Sequence, residues 1–251
     1  MIIQVHKLLL ILLRITAFIV ICPGFSFRGL PNIFKVTLAI GITLMVYTVV
    51  PEMGMVGGMF ELLMLAIKET VFGLAIGYVT NLVFSAIEIA GQLIDLQVGF
   101  SMGSVFDPNL DISASNYGRF YYWLSIMVFF LLDLHHVVIN TLIKSFEYVP
   151  LNALNYNGAS TEAVLRIFSR IFELGLNLAA PMIIVVLLAD VILGVISRTV
   201  PQINVLMLGM PLKAMVSFFV AMISLSWLMN SLGDILYLIP GYLEGFLNLF
   251  R

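Results

Sequence analysis

The stretch LGLNLAAPMIIVVLLADVILGVI, Leu174–Ile196, decides the class of fold, because its only charged residue is Asp190. About 18 or more apolar residues with almost no charge read as a helix that crosses a membrane. Working outward, comparable runs cover Leu8–Cys22, Val36–Val50, Thr70–Ile87, Phe120–Ile143 and Ala214–Leu232, which gives about six helical elements. None shows the period-two alternation of a transmembrane barrel strand. The composition agrees: of 251 residues, 61% are hydrophobic and 10% charged, against about 25% charged in an ordinary soluble domain. Too few polar side chains remain to cover a globule in water, so the expected fold is all-α, a multi-helix integral membrane protein.

A net charge of −2 without a basic cluster leaves no electrostatic footprint for nucleic acid. A single cysteine, Cys22, excludes an intrachain disulfide and a zinc site built on several thiolates. At the N-terminus Lys7 precedes an apolar run in the manner of a signal peptide. Arg14 interrupts that run and no small-x-small cleavage site follows, so the segment reads as the first helix. Pro23-Gly24, Pro31-Asn32 and Pro51-Glu52 separate the early helices, and Asn155-Tyr156-Asn157-Gly158 marks a later loop.

The charges are few, and several lie within or beside apolar runs: Arg14, Glu69, Glu88, Asp95, Asp133, Asp190, Arg198 and Lys213. A central charge costs about 2.5 to 3.5 kcal/mol on the insertion scale, so these groups are expected to face partners, water or each other. Gly73 and Gly77, four apart in an uncharged run, are the best candidates for close helix packing, either within the chain or against a neighbouring subunit.

Gly99-Phe100-Ser101-Met102-Gly103 matches the letters of a nucleophile elbow, and Asp133, His135 and His136 follow it. An elbow requires a strand, a sharp turn and a helix in a parallel sheet. Nothing here reads as alternating strands and helices, so catalysis is not expected. Asp133-x-His135-His136 lacks the i, i+4 spacing of a helical metal pair, and no metal or cofactor is expected. The segment Glu88–Gly118 is unusual: it opens with Ile89, Leu93, Leu96 and Phe100 at helical spacing and ends in a polar stretch rich in Asp, Asn and Ser. Irregular chain at membrane depth must be buried in protein or line a watery cavity, whereas outside the bilayer it is an ordinary loop. A secondary transporter would show internal repeats with paired broken spans, and none is evident.

Several longer stretches point to a family. They are Arg14-Ile15, Pro23 to Pro31, Lys68-Glu69 to Gly77, Ala90 to Phe100 with Asp107-Pro108, Ser145-Phe146 with Val149-Pro150-Leu151, and Asp190-x-x-x-Gly194-x-x-x-Arg198-x-x-Pro201-Gln202-x-Asn204. With these the chain resembles, along essentially its whole length, the FliR family of flagellar biosynthetic proteins. It also resembles the matching gate component of virulence type III secretion systems. The resemblance implies a subunit of the flagellar type III export gate that is not an enzyme. It would sit in the bacterial inner membrane at the flagellar basal body and assemble with FliP and FliQ into a channel for unfolded flagellar proteins. FlhB and FlhA would be further partners.

It also implies a FliP-like part over residues 1–165 and a FliQ-like helical hairpin over 166–251, whose connection is Val200 to Lys213. Within the first part, segment 99–118 would plug the channel beneath a methionine-rich ring from FliP, through Phe100, Met102, Phe106, Asp107 and Pro108. Gln202 and Asn204 would contribute to a cytoplasmic constriction. Arg14, Glu69, Glu88, Asp190 and Arg198 would pair across subunit joints.

Overall fold

The structure, a computed structural model, describes residues 2–27, 29–51, 54, 57–101, 115–151, 161–199 and 205–249. Among the described residues there is no strand, and the regular elements are helices. They are α1 (Ile2–Ile21), α2 (Asn32–Val49), α3 (Met59–Val98), α4 (Asn116–Leu131), α5 (Leu134–Tyr148), α6 (Thr161–Thr199), α7 (Val205–Ile223), α8 (Leu225–Leu236) and α9 (Ile239–Asn248). Four of these are long and apolar enough to cross a membrane, or up to six if each bent pair counts as one span. The protein is therefore an all-helical membrane protein.

Helix α3 is far longer than its apolar run suggests. Its 40 residues extend about 60 Å at 1.5 Å per residue, about twice the hydrocarbon thickness of a bilayer. Lys68, Glu69 and Asp95 are charged but are good or tolerable helix residues with partners, so the hydropathy boundary is not the helix boundary. The sequence also suggested the wrong face of its last turns. Leu96 is 66% exposed, whereas Ile87, Ala90, Ile94 and Val98 form the buried stripe. The helix stops at Gly99, whose φ of +100° is the left-handed C-terminal turn that glycine adopts without steric cost.

Two expected single helices are broken. Phe120–Ile143 divides into α4 and α5, which meet at 75°. The break is at Asp133, which takes a left-handed φ of +54°, a conformation that Asp tolerates better than most residues. Its amide bonds the Phe130 carbonyl at 3.2 Å and its carbonyl receives the His136 amide at 3.0 Å. Asp133 thus stands 77% exposed at a corner rather than inside a span. Similarly, Ala214–Leu232 is broken at Ser224, with a 70° bend. The expected hairpin connection is also shorter than the sequence suggested, because α7 begins at Val205 and contains Pro211 and Lys213.

The chain forms two compact units interleaved in sequence: residues 1–83, 129–167 and 236–251, and residues 84–128 and 168–235. In the first, α2 places Ala39, Thr43 and Val46 inward, a stripe at helical spacing that packs on α1. The core is built from Leu10, Ile15, Phe18, Phe72, Ile76, Leu142 and Leu243. Gly73 and Gly77 pack within the chain, because a Cβ at Gly73 would lie 2.2 Å from the Arg14 carbonyl oxygen and one at Gly77 3.0 Å from that of Phe18. In the second unit the core contains Phe84, Ile87, Ile94, Tyr121, Leu178, Met182, Val186 and Leu232. Gly175 admits close approach there, since its Cβ would lie 2.8 Å from the Ala86 carbonyl oxygen.

Gly73→Ala must push α1 away from α3 and should destabilise the protein by about 1 to 3 kcal/mol. Gly241→Ala, where nothing lies within 4 Å, should be neutral or gain up to about 1 kcal/mol of helix propensity. Thermal unfolding in detergent of the two variants beside the parent protein checks the contrast.

Candidate functional site

Among the described residues, polar side chains cluster between apolar helices in each unit. In the first, Arg14 of α1 is fully buried and spends its donors on three partners. Its Nε donates to Glu69 Oε2 of α3 at 2.5 Å, Nη1 to Ser145 Oγ of α5 at 3.1 Å and Nη2 to the Val149 carbonyl at 2.9 Å. The guanidinium carbon lies 4.1 Å from the Phe146 ring centroid and 5.0 Å from that of Phe72, so aromatic faces supply the rest of its surroundings. Lys68 Nζ lies 3.0 Å from Glu69 Oε1 and donates to the Pro150 and Leu151 carbonyls at 2.8 and 3.1 Å. Two cations and one carboxylate leave one formal positive charge. The carbonyls just beyond the C-terminus of α5 carry the partial negative charge that offsets it.

The second cluster is gathered at the C-terminal end of α3. Lys213 Nζ of α7 lies 3.0 Å from Asp190 Oδ1 of α6 and 3.3 Å from the Gln97 carbonyl oxygen, while Gln97 Nε2 donates to Asp190 Oδ2 at 3.2 Å. Two residues earlier, the buried Asp95 carboxylate accepts the Tyr117 amide at 3.1 and 3.2 Å and also the Ser115 hydroxyl. Phe100, just past the helix end, stacks on Tyr117 with ring centroids 6.3 Å apart and meets Phe218 at 6.0 Å. Beside these rings is an apolar cavity of about 470 Å³ lined by Asn116, Tyr117, Phe120, Phe218, Ala221, Met222 and Leu225.

Residues 5–238 match the family described as bacterial export proteins, family 1. The flagellar biosynthetic protein FliR of Pectobacterium carotovorum subsp. carotovorum is 32% identical over 235 residues, 92% of this chain and 84% of that protein. The chain belongs to the FliR family. The FliR of Bacillus subtilis (strain 168) is 29% identical over 221 residues, 87% of this chain and 85% of that protein. The secretion system apparatus protein SsaT of Salmonella typhimurium is 26% identical over 176 residues, 70% of this chain and 68% of that protein. The protein is thus a membrane component of a flagellar or type III export apparatus.

Against that membership the expected site residues distribute unevenly. Of the plug residues, Phe100 is half-buried among aromatic rings, whereas Met102, Phe106, Asp107 and Pro108 lie outside the described residues, as do Gln202 and Asn204. Arg14 and Glu69, expected at a subunit joint, pair with each other and are sealed from any neighbour by full burial. Asp190 pairs with Lys213 while its side chain stays 38% exposed; Glu88 is half-buried and Arg198 exposed. Ser101 follows the end of a helix rather than a strand, so the strand-turn-helix of a nucleophile elbow does not carry it. Asp133, His135 and His136 bring ligand atoms within 4.8 Å of one another at the exposed α4–α5 corner.

Sequence reasoning gave no role to Lys68 or Gln97 and named Asp95 and Lys213 only among the charges that must find partners. Asp95 carried a signal nonetheless, because it stands four residues after Gly91 and so shares a helix face with a point of close approach.

Breaking a buried ion pair by removing one partner costs about 3 to 5 kcal/mol, whereas replacing both by apolar residues costs much less. Arg14→Leu and Glu69→Leu should each sharply reduce the thermal stability of the detergent-extracted protein, with Glu69→Leu the worse because it strands two cations. The double variant should be more stable than the sum of the two losses allows. Strict additivity in this double-mutant cycle would show that the two groups are not coupled.

Proposed function

We propose that the chain is the FliR-type subunit of the flagellar protein-export gate, embedded in the bacterial inner membrane at the flagellar basal body. It assembles with FliP and FliQ around a channel through which unfolded flagellar proteins are secreted, with FlhB and FlhA as further partners. It carries no catalytic step. Residues 1–165 supply a FliP-like part and 166–251 a FliQ-like helical hairpin. The observation that carries this reading is the family match over residues 5–238. It is supported by the outward surface of α6 and α7, where Ile184, Leu188, Val191, Ile192, Met215, Phe219 and Met222 are all more than half exposed. Lipid or sister subunits must cover such a surface, and the exposed Arg198 on the same α6 is better met by a protein partner than by hydrocarbon.

Segment 99–118 acts as the plug. Phe100, Met102, Phe106 and Pro108 close the passage by excluding water, and the methionine adapts its shape to a passing chain. Asp107 is a charged member of the same segment. Gln202 and Asn204 contribute to the cytoplasmic constriction. Glu88, Asp190 and Arg198 serve the joints between subunits.

Removing Ser104 to Ser113, so that Gly103 joins Ala114, should make cells leaky to small ions while flagellar proteins are still secreted. Membrane-potential dye uptake and export assays measure the two effects, and an unchanged leak overturns the plug. Separately, Arg198→Glu should lower the amounts of FliP and FliQ that co-purify with the chain, and full recovery of the complex removes Arg198 from the joint.

A further inference from the structure

The corner between α4 and α5 gathers three side chains able to hold a metal. On a regular helix Asp133, His135 and His136 would diverge, because adjacent side chains do not face each other. The chain is not a regular helix here. Asp133 takes a left-handed φ of +54°, and one ligand atom each of Asp133, His135 and His136 lies within 4.8 Å of the others. Asp133 Oδ1 is 3.7 Å from His136 Nδ1, and the two imidazole rings have their centroids 4.0 Å apart.

Two further observations set this cluster apart from an ordinary polar corner. Asp133 stands at the N-cap of α5, where an aspartate ordinarily accepts a first-turn amide through its side chain. Its carboxylate makes no such bond. The Asp133 carbonyl takes the His136 amide instead, which leaves the carboxylate to the histidines. His135, in turn, is backed by aromatic rings. The centroids of Phe130 and Phe129 lie 5.2 and 6.4 Å from its own, and a Cβ at Gly24 would come within 3.2 Å of the Phe130 ring, so the turn after α1 holds that backing in place. Among the described residues His135 Nδ1 is buried and has no hydrogen-bond partner. A buried nitrogen in that state calls for a water or an ion.

We propose that Asp133, His135 and His136 form a three-ligand site for a divalent transition metal of the zinc type, with water in the fourth position. A tetrahedral ion with bonds of about 2.0 to 2.1 Å sets its ligand atoms about 3.4 Å apart. The 3.7 Å pair is close to that spacing, and Asp133 and His136, with side chains 77% and 68% exposed, can rotate to close the rest. Two imidazoles and one carboxylate suit zinc and its neighbours in the first transition row, and supply too few oxygens for calcium. The partial positive charge at the start of α5 opposes a cation, and the Asp133 carboxylate offsets it. The bound ion ties the first turn of α5 to the residue at which the chain changes direction, and so fixes the corner.

The test uses the full chain in detergent, purified through a tag without histidine and freed of metal by a chelator. Co2+ is titrated while its visible absorption is followed, Zn2+ is then added to displace it, and thermal unfolding is recorded with and without Zn2+. One equivalent of Co2+ should bind saturably, Zn2+ should displace it, and Zn2+ should raise the unfolding temperature. Even an outer partner of a metal ligand is worth about 10- to 100-fold in affinity, so His136→Ala and Asp133→Gly should each weaken binding by at least about tenfold and remove the thermal shift. His6→Ala, which removes the one histidine outside the cluster, should leave both unchanged.

Asp133→Gly is the decisive variant. Glycine adopts the left-handed backbone freely and no side-chain cap bond is lost, so the metal-free protein should unfold at or above the parent temperature while its metal affinity falls. Absence of saturable Co2+ binding by the parent chain overturns the site and leaves Asp133 and His136 as a surface ion pair. Binding of parent strength in Asp133→Gly or in His136→Ala also overturns it, as does a Zn2+ thermal shift that survives both changes.

Discussion

A guanidinium buried among apolar helices has to find every partner it needs inside the protein, and the arrangement of the first unit follows from how Arg14 does so. Its bonds to Glu69, Ser145 and the Val149 carbonyl join α1, α3 and the end of α5 at one point. The same solution recurs for other cations. Lys7 delivers its ammonium to the Tyr47 and Val50 carbonyls at the end of α2, Lys68 to those beyond α5, and Lys213 to the Gln97 carbonyl at the end of α3. Helix C-termini expose unpaired carbonyls with partial negative charge, so each of these cations satisfies a helix end and is itself satisfied. In a medium that hydrates neither group, this reciprocity turns a costly charge into a specific tie between helices.

Glycine sets how close those ties can be. Gly73 lies against the Arg14 carbonyl and Gly77 against that of Phe18, so α1 meets α3 along the face next to Glu69. In the second unit Gly91 meets Gly118 one turn from Asp95. Both clusters therefore share a design in which backbone contact shortens the distance and an ionised side chain fixes the register. Apolar packing alone would leave such helices free to slide, because lipid tails compete with leucine on nearly equal terms.

The class of fold was legible in the sequence because the apolar runs are long and almost free of charge, and the Gly73 and Gly77 pair was legible by its spacing. Helix lengths were not. The sequence boundaries followed hydropathy, whereas helix ends follow hydrogen bonding, so α3 runs through Lys68, Glu69 and Asp95 to stop at Gly99. The 75° corner at Asp133 was also hidden, because neither proline nor glycine marks it and an aspartate in the left-handed region is a tertiary outcome. Among site residues, the intramembrane charges stood out at once. Which of them pair with each other was not readable, since 55 residues separate Arg14 from Glu69 and 23 separate Asp190 from Lys213.

That pairing narrows where a partner subunit can act. A charge enclosed at 0% exposure offers nothing to a neighbour, so Arg14 and Glu69 stabilise the fold and are removed from any joint. The remaining candidates, Glu88, Asp190 and Arg198, are half-buried or exposed and all belong to the second unit. This unit also contains Met215, Phe219, Met222 and Ile223, apolar side chains among the most exposed in the chain. A surface that combines wide apolar area with a few unenclosed charges suits protein better than lipid, because only protein can cover the apolar part and answer the charges together. In the first unit Arg14, Lys68 and Glu69 are enclosed with their partners, so of the charges proposed for the joints of the gate only those of the second unit remain open to a neighbour.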